Sequence, residues 1–427
     1  MQSFTVEGAG RILALVPCLA RLMATAGLSA GAPQEPGQAR ASWSPSVALA
    51  VKEEYDDNLF AQDVTPLGGL SSFVTTLIPS VGMSYRSGKE VSVSLDYAPE
   101  LAFFHSHPSE DHVLHRVGLN GAVASGAGMW ELRQSLVAID GSRIGPTYTG
   151  EGGAPAAGGP RVRDRRDATV YRGSLRVTHE TSPLLVRPGV AAYVHDFGTE
   201  HRATPGYQNF VDRADVHGGV DLGTKVADGL CAWVGYRYGF QDQAGLLSYP
   251  EEYDSTYHRV LFQVEGSPVR WARVAVAIGP EFRRFGDRVP ASFGDRDVRN
   301  LFIDASGTLT LGPSDTATVS VKRFQQPGFA GRSVYDDTTY ELRWKHTFSE
   351  RWDVVMGGRA YNTDFAYPAV RDDWIFSVSA AVSHTINSQF NAEISFTHEV
   401  GESRIPDTRA RDYHRNVAAV GLRYTFR

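Results

Sequence analysis

Charged side chains recur at every second position in segments whose remaining positions are apolar. In 229–241, Arg237 shares its parity with Trp233, whereas Val234 and Tyr236 have the opposite parity. A period of two places alternate side chains on opposite faces of a β-strand. Charges of both signs on one face can form ion pairs or bind ionic solutes. The pattern therefore indicates recognition chemistry rather than bond-making chemistry.

The candidates on this charged face have both signs. The basic ones are Arg133, Arg172, Arg176, Arg187, Arg213, Arg237, Arg259, Arg273, Arg283, Lys322, Arg343, Lys345, Arg359 and Arg423. The acidic ones are Asp96, Glu100, Glu131, Glu180, Asp215, Asp221, Glu265, Glu281, Asp304, Glu341 and Glu393. Such residues would be costly in lipid, so we expect them to line an aqueous interior. Two roles are open for them: a cross-strand ion-pair network that stiffens the wall, and the lining of a hydrated passage that favours anionic solutes. The two roles are compatible with each other.

No motif for catalysis, a cofactor or a metal accompanies these charges. The sequence lacks a P-loop, a dinucleotide fingerprint and a zinc-protease motif, and its Ser, His and Asp residues form no recognisable triad. Four histidines, His105, His107, His112 and His115, lie close together without the spacing of a known metal site. The 48 acidic and 42 basic residues give a net charge of -6, which argues against a nucleic-acid partner. We predict a protein that is not an enzyme and binds no cofactor or metal.

Period-two segments account for most of the chain from residue 43 onward. They lie near 44–55, 72–86, 89–104, 112–125, 129–140, 168–181, 184–197, 210–225, 229–241, 254–266, 269–285, 297–311, 315–325, 335–348, 351–363, 373–386, 389–400 and 412–426. The connections alternate between short and long, which is typical of outer-membrane barrels with short periplasmic turns and long extracellular loops. A soluble all-β protein would show the same alternation, but not this order of connections. We predict one all-β antiparallel transmembrane barrel over 43–427, with about eighteen strands and sixteen as the alternative count.

Both ends of the chain carry signals for export and assembly. Residues 1–26 have the apolar run and small-residue site of a signal peptide, with cleavage as late as residue 30 as an alternative. Residues 27–42, rich in Gly, Pro, Ala and Gln, are expected to form a disordered lead-in. Leu422, Tyr424 and Phe426 share one face of the last segment. This end resembles the signal that the barrel-assembly machinery recognises, which makes that machinery an expected partner.

One motif near the start of the predicted barrel resembles a known family. Tyr55-Asp56-Asp57-Asn58-Leu59-Phe60 is followed by Thr76-Leu77-Ile78-Pro79-Ser80-Val81. This pair of segments resembles the β-barrel porin type 2 family, which implies an outer-membrane barrel, often found alongside exopolysaccharide synthesis and export. The residues alone favour a turn at Asp56–Asn58, because Asp and Asn accept local backbone hydrogen bonds. A calcium site at the outer rim is the alternative.

The longest connection, 141–167, is rich in Gly, Pro and Ala and ends in an arginine-rich run. Three roles remain open for it. It would fold into the barrel as a constriction, contact lipopolysaccharide phosphates from outside, or remain a solvated loop.

Three functions are compatible with these features. The first is an outer-membrane channel that exports a surface or secreted polysaccharide with a periplasmic or outer-membrane export partner, in which Tyr193, Trp233 and Tyr361 offer weak contacts to sugars. The second is a diffusion porin or uptake channel for small, anionic solutes. The third is a structural or adhesive barrel with a plugged lumen. In each case the outer-membrane lipid and lipopolysaccharide surround the wall.

Overall fold

The computed structural model describes residues 41–59, 61, 69–88, 90–142, 166–196, 212–243, 252–327, 334–367, 371–404 and 412–426. The predicted signal peptide, all but the last two residues of the predicted lead-in, Phe60 and residues 143–165 of the longest connection lie outside these ranges. No helix in the described ranges is long and apolar enough to cross a membrane. The only helical elements described are two 3-10 turns, Pro108–Glu110 and Ala291–Phe293.

Nineteen strand segments run antiparallel around one closed sheet. They are β1 (Ser42–Asp56), β2 (Ser72–Ser87), β3 (Val91–Tyr97), β4 (Glu100–Phe104), β5 (His112–Ser125), β6 (Gly128–Ser142), β7 (Arg166–Thr181), β8 (Leu184–Asp196), β9 (Arg213–Ala227), β10 (Leu230–Gln243), β11 (Ser255–Val269), β12 (Ala272–Phe285), β13 (Asp297–Thr310), β14 (Asp315–Pro327), β15 (Val334–Ser349), β16 (Trp352–Tyr367), β17 (Arg371–Thr385), β18 (Phe390–Arg404) and β19 (Tyr413–Phe426). Apart from β3 and β4, consecutive strands pair with each other, and β1 also pairs with β19, which closes the barrel.

Eighteen strands form the wall, because β3 and β4 are two parts of one strand. Both pair with β2 on one side and β5 on the other, and Ala98-Pro99 separates them. Proline has no backbone N–H for the ladder, so an interruption at Pro99 follows from its chemistry. The predicted all-β antiparallel barrel of eighteen strands is confirmed.

The two rims of the barrel differ in the length of their connections. At one rim, here called the short-turn rim, two to four residues join consecutive strands. At the other, the loop rim, the connections range from three residues between β16 and β17 to twenty-three between β6 and β7. The expectation of strict alternation between short and long is therefore wrong at β16–β17, where the strands extend almost to the loop tip.

The outward face of the wall exposes large apolar side chains all around the barrel. Phe262 is 57% exposed, Val378 58% and Ile394 64%. Aromatic pairs lie near the ends of the strands, with the rings of Trp43 and Tyr85 4.8 Å apart toward the short-turn rim. Water would penalise such a continuous apolar surface, whereas a bilayer covers it. The protein is therefore a membrane-spanning β-barrel of the outer-membrane type.

The last strand presents its assembly-signal residues to this outward surface. Val47 pairs with Phe426, Leu49 with Tyr424 and Val51 with Leu422, so the apolar end of the chain lies against the apolar start of β1. The Tyr424 and Phe426 rings are 4.6 Å apart. Recognition of this end by the assembly machinery stays a prediction.

Candidate pore and its lining

The register places all the charged candidates on the inward face, opposite the exposed apolar side chains. Six are buried: Arg187, Arg213, Asp221, Arg259, Glu281 and Arg283. Partly exposed ones are Glu100, Glu131, Arg172, Arg176, Asp215, Arg237, Glu265, Lys322 and Arg359. Exposed ones are Asp96, Arg133, Arg273, Asp304, Glu341, Arg343, Lys345, Glu393 and Arg423. Glu180 is exposed as well. The buried and exposed groups have different roles, because only an exposed charge is accessible to a solute.

Arg187 on β8 is the centre of one buried cluster. Its Nε lies 2.8 Å from Asp221 on β9, and its Nη1 lies 2.6 Å from Glu265 on β11. Its guanidinium also stacks on the Trp233 ring, 3.9 Å from the ring centroid. Arg237 on β10 forms a second ion pair with Asp221 at 2.7 Å. These bonds join four consecutive strands, so the Arg187 cluster stiffens the wall.

Glycine provides the space that the Arg187 cluster needs. A Cβ at position 235 would lie 2.2 Å from Asp221 Oδ1, and one at position 223 would lie 2.3 Å from the Trp233 ring. Such distances are impossible without displacing the neighbouring side chain. Gly223 and Gly235 therefore allow large polar and aromatic groups to lie flat against the wall.

Glu281 on β12 holds a second buried cluster nearer the loop rim. It accepts hydrogen bonds from Arg259 on β11 and from Arg283, whose Nε lies 3.0 Å away. Arg283 also donates to Ser255 at 2.9 Å, and Arg259 lies 3.8 Å from the centroid of the Phe302 ring. The two guanidiniums neutralise the buried carboxylate, so this cluster acts as packing rather than as solute contact.

The loop-rim ends of β14 and β15 lean across the interior. The β13–β14 ladder stops at the pair Ile303–Arg323, although β14 continues to Pro327. The backbone oxygen of Gln325 on β14 accepts hydrogen bonds from Gln241 on β10 at 3.2 Å and from Arg283 on β12 at 3.3 Å. Neither strand is a neighbour of β14 in the sheet, so these contacts cross the lumen.

A contact of β15 supports the same arrangement. The phenol of Tyr335 on β15 is buried and faces the guanidinium of Arg213 on β9. Tyr193 on β8 accepts a hydrogen bond from the same arginine at 3.2 Å. The β14–β15 tip thus packs against β8–β12 and narrows the mouth of the barrel.

A chamber of about 810 Å³ lies on the short-turn side of this constriction. Its charged lining consists of Glu131, Arg133, Arg176, Arg187, Glu265, Arg273 and Asp304. Each of these lies within seven residues of a short turn. Arg176 pairs with Glu131 at 2.6 Å, whereas Arg133 and Arg273 form no ion pair with any residue of the described ranges. The chamber therefore offers two exposed guanidiniums to a solute.

The opposite part of the wall has a different lining. There the inward side chains are mostly small: Ser80, Gly82 and Ser84 on β2, Ser92 and Ser94 on β3, Ser377, Ser379 and Ser383 on β17, Ser395 and Thr397 on β18, and Ala419 and Gly421 on β19. Small hydroxyl-bearing side chains leave space and hydrogen-bond water. The lumen is thus asymmetric, with a charged and filled side facing a small and polar one.

The family-motif residues Asp56, Asp57 and Asn58 bind β19 at the seam, the junction of β1 with β19 that closes the barrel. Asp56 at the end of β1 binds Arg415 on β19. The carboxylate of Asp57 accepts hydrogen bonds from the backbone N–H and the side-chain amide of Asn416, at 2.6 and 2.7 Å. Asn58 donates to the backbone oxygen of His414 at 2.8 Å. The turn interpretation also has support, since Asn58 N–H donates to Asp56 Oδ1 at 3.0 Å. Three or more His, Cys, Asp or Glu side chains that could hold a metal ion come together nowhere in the described ranges.

Two other motif residues, Tyr55 and Pro79, lie on the outward face of the wall. Tyr55 packs against Phe73 with the two rings tilted and their centroids 5.0 Å apart, and Pro79 lies opposite Leu49. Of the clustered histidines, His105 contacts Thr75 and His115 contacts Tyr97, both on the outward face, whereas His112 Nδ1 lies 3.1 Å from the backbone oxygen of Glu110.

Several inward charges are absent from the predicted set. Arg116 on β5 lies 3.5 Å from Glu100, Lys52 on β1 pairs with Glu54, and Asp337 on β15 is buried and hydrogen-bonded by Tyr361 at 3.1 Å. All share the parity of the charged face of their strands, so the same period-two rule identifies them.

Comparisons with known proteins provide only weak similarities. No family model matches the chain, and no curated protein matches it. Among solved structures, the BenF-like porin from Pseudomonas fluorescens has 10% identity and a TM-score of 0.43, over 90% of this chain and 99% of that one. OccK2 (OpdF) from Pseudomonas aeruginosa, in complex with glucuronate, has 10% identity and a TM-score of 0.42 over 90% and 99%. The anion-selective porin from Comamonas acidovorans has 10% identity and a TM-score of 0.39 over 91% and 100%. These values are too low to carry an inference about family or substrate.

Proposed function

We propose that the protein is an outer-membrane channel for small hydrophilic solutes, with a modest preference for anions. The observation that carries this proposal is the division of the inward charges into buried and exposed groups. The buried arginines have carboxylate or aromatic partners and stabilise the wall. Arg133, Arg273, Arg343 and Arg423 are exposed to the lumen and form no ion pair with a described residue.

Exposed acidic groups keep the preference modest. Asp96 and Asp304 are also exposed in the lumen without an ion pair in the described ranges, and Glu341 and Glu393 bind only serine hydroxyls. Lys345 is offset by Asp353 at 3.1 Å. Guanidiniums hold carboxylates and phosphates by charge-assisted hydrogen bonds, and weak contacts at several sites permit passage. These four carboxylates balance the four exposed arginines. The partly exposed Arg172 and Lys322 also form no ion pair with a described residue, and they give the lining a slight basic excess that favours small anions without excluding neutral solutes.

Polysaccharide export has less support from this geometry. Sugars slide along exposed aromatic faces, but two of the three aromatics expected for that role are buried. Trp233 is covered by Arg187, and Tyr361 is fully buried. The guanidinium carbon of Arg172 lies 4.9 Å from the centroid of the Tyr193 ring and covers part of it. The leaning β14–β15 tip further favours small solutes over a polymer.

Liposome swelling tests the proposal directly. Purified full-length protein in liposomes should admit monosaccharides and small carboxylates, with the rate falling steeply for oligosaccharides. A plugged structural barrel would admit none of them. In cells, deletion of the protein should leave surface polysaccharide unchanged; its loss from the surface, with accumulation in the periplasm, would replace the proposal with export.

A further inference from the structure

Two outward-facing arginines near the loop rim donate no hydrogen bond to a carboxylate of the described residues. Arg284 on β12 is 69% exposed, and its Nε lies 3.9 Å from its nearest carboxylate, Asp297. Arg299 on β13 is exposed and forms no ion pair with a described residue. In the adjoining connection, by contrast, Arg288 pairs with Glu252 and Arg296 with Asp287. Arg284 and Arg299 are therefore the guanidiniums of this region that can bind an external anion.

The register brings these two guanidiniums close together. Arg299 lies opposite Phe282, and Arg284 lies opposite Asp297, so the two arginines are diagonal neighbours on the outward face. Diagonal neighbours in an antiparallel pair are about 7–8 Å apart, within reach of two long side chains that converge on one group. Two guanidiniums at this separation can share a phosphate through charge-assisted hydrogen bonds.

The apolar belt begins immediately below the arginine pair. Phe282 and Leu301 are each 46% exposed, and the outward positions from there to the short-turn rim carry apolar side chains such as Ile278, Ile303 and Leu309. An anion bound by the arginines would therefore lie at the boundary between the belt and the solvent. That is the depth of a lipid headgroup rather than of a free solute in the lumen.

Aromatic and imidazole groups flank the arginines at the same height. Tyr238, His258, Phe282 and Arg299 are successive partners across β10, β11, β12 and β13. His258 lies 2.6 Å from the Tyr236 hydroxyl, and its ring is 5.1 Å from that of Tyr238. Exposed rings with polar edges suit the interface, and they can contact a sugar ring and its hydroxyls.

We propose that Tyr238, His258, Phe282, Arg284 and Arg299, here called the Arg284–Arg299 patch, bind the phosphorylated sugar headgroup of an outer-leaflet glycolipid. The arginines hold the phosphate, the aromatic row contacts the sugar, and the acyl chains lie on the apolar belt below. This site is on the outside of the wall and is independent of transport through the lumen.

Native mass spectrometry of the full chain tests the Arg284–Arg299 patch. Protein released from mixed micelles should retain lipid A in preference to lipid A lacking its phosphates and to phosphatidylglycerol. The double variant R284Q/R299Q should lose this preference by at least several-fold. Arg270 lies in the short turn at the other end of the β11–β12 hairpin, so R270Q is the matched control and should retain lipid A like the wild type.

Each outcome decides the proposal, provided that all variants migrate as folded barrels in heat-modifiability gels. Equal retention of lipid A by the double variant and the wild type would overturn it. Equal retention of phosphate-free lipid A by the wild type would also overturn it, because binding would then not depend on the phosphates. Equal retention of phosphatidylglycerol would overturn it as well, because binding would then depend on negative charge alone. Unchanged solute permeation by R284Q/R299Q, with lost lipid retention, would separate this site from the proposed channel.

Discussion

The guanidinium of Arg415 on β19 binds both carboxylate oxygens of Asp56 on β1, with Nε 3.1 Å from each. The two residues are 359 positions apart in the chain. Their strands are the first and last of the sheet, which meet when the barrel closes. Asp57 and Asn416 add two hydrogen bonds beside them. Side-chain bonds therefore reinforce the pairing of β1 with β19, the two neighbouring strands that no turn connects.

The seam predicts a specific loss of stability. Asp56 is 2% exposed and Arg415 13%, so Arg415→Gln leaves a buried carboxylate without its ion pair. Removing one partner of a buried pair costs about 3–5 kcal/mol. The free energy of unfolding in urea, measured on the barrel in detergent, should fall accordingly.

The matched control for the seam is an exposed ion pair. Lys225 pairs with Glu180, and their side chains are 60% and 48% exposed. Lys225→Gln should change the free energy of unfolding by about 0–1 kcal/mol, because solvent screens such pairs. Similar losses for the two variants would show that the seam has no special role.

Glycine at position 223 should be essential for the packing of Trp233. Gly223→Val would place Cβ 2.3 Å from the Trp233 ring and 2.8 Å from the Ala232 backbone oxygen. Overpacking of this kind costs about 1–3 kcal/mol. The unfolding midpoint should fall, and the tryptophan emission should shift as the Arg187–Trp233 stack opens.

Gly118 is the control for that substitution. It is also an inward strand glycine, but no atom lies within 4 Å of the Cβ it lacks. Since β-branched residues favour strands, Gly118→Val should be neutral or slightly stabilising. A destabilised Gly118→Val with an unaffected Gly223→Val would contradict the account of the Arg187 cluster.

The contacts of the β14–β15 tip predict an effect on pore size. Gln241→Leu removes one of the two wall donors to the backbone oxygen of Gln325. The tip should then be less firmly held, and single-channel conductance should rise or fluctuate more. Phe240→Leu, at the adjacent outward position, should leave conductance unchanged. An unaltered conductance in Gln241→Leu would indicate that the tip does not limit the passage.

The exposed lumen arginines predict a change in ion selectivity. The double variant Arg133→Gln and Arg273→Gln removes two positive charges from the chamber lining, while Asp304 and Glu131 remain. Its reversal potential in a salt gradient should move toward cation preference. Arg299→Gln, on the outward face, should have the wild-type value. If both variants behave alike, the chamber does not lie on the ion path.

The faces of the strands followed directly from the sequence, because period two is a local property of a β-strand. Parity alone put Arg133 and Arg259 on the same inward face. It could not distinguish them, because Arg259 is buried by Glu281 and Phe302 from neighbouring strands, whereas no such neighbours cover Arg133.

Contacts between distant segments were beyond reach of the sequence pattern. The pair Asp56–Arg415 depends on closure of the whole sheet, and the contact of Gln325 with Gln241 depends on β14 leaving its neighbour β13. The motif residues Asp56, Asp57 and Asn58 were notable in the sequence, but their partners lie more than 350 positions away. Only the register of β1 against β19 reveals their role.

The most direct test of the central claim is the current through purified wild-type protein in a planar bilayer under a potassium chloride gradient. The proposed channel should give a steady conductance at low voltage, with a reversal potential on the anion side of zero. Addition of a small carboxylate should reduce the chloride current, because it competes for the exposed arginines. A barrel that stays closed at every voltage and salt concentration would contradict the account, and so would a clear preference for cations.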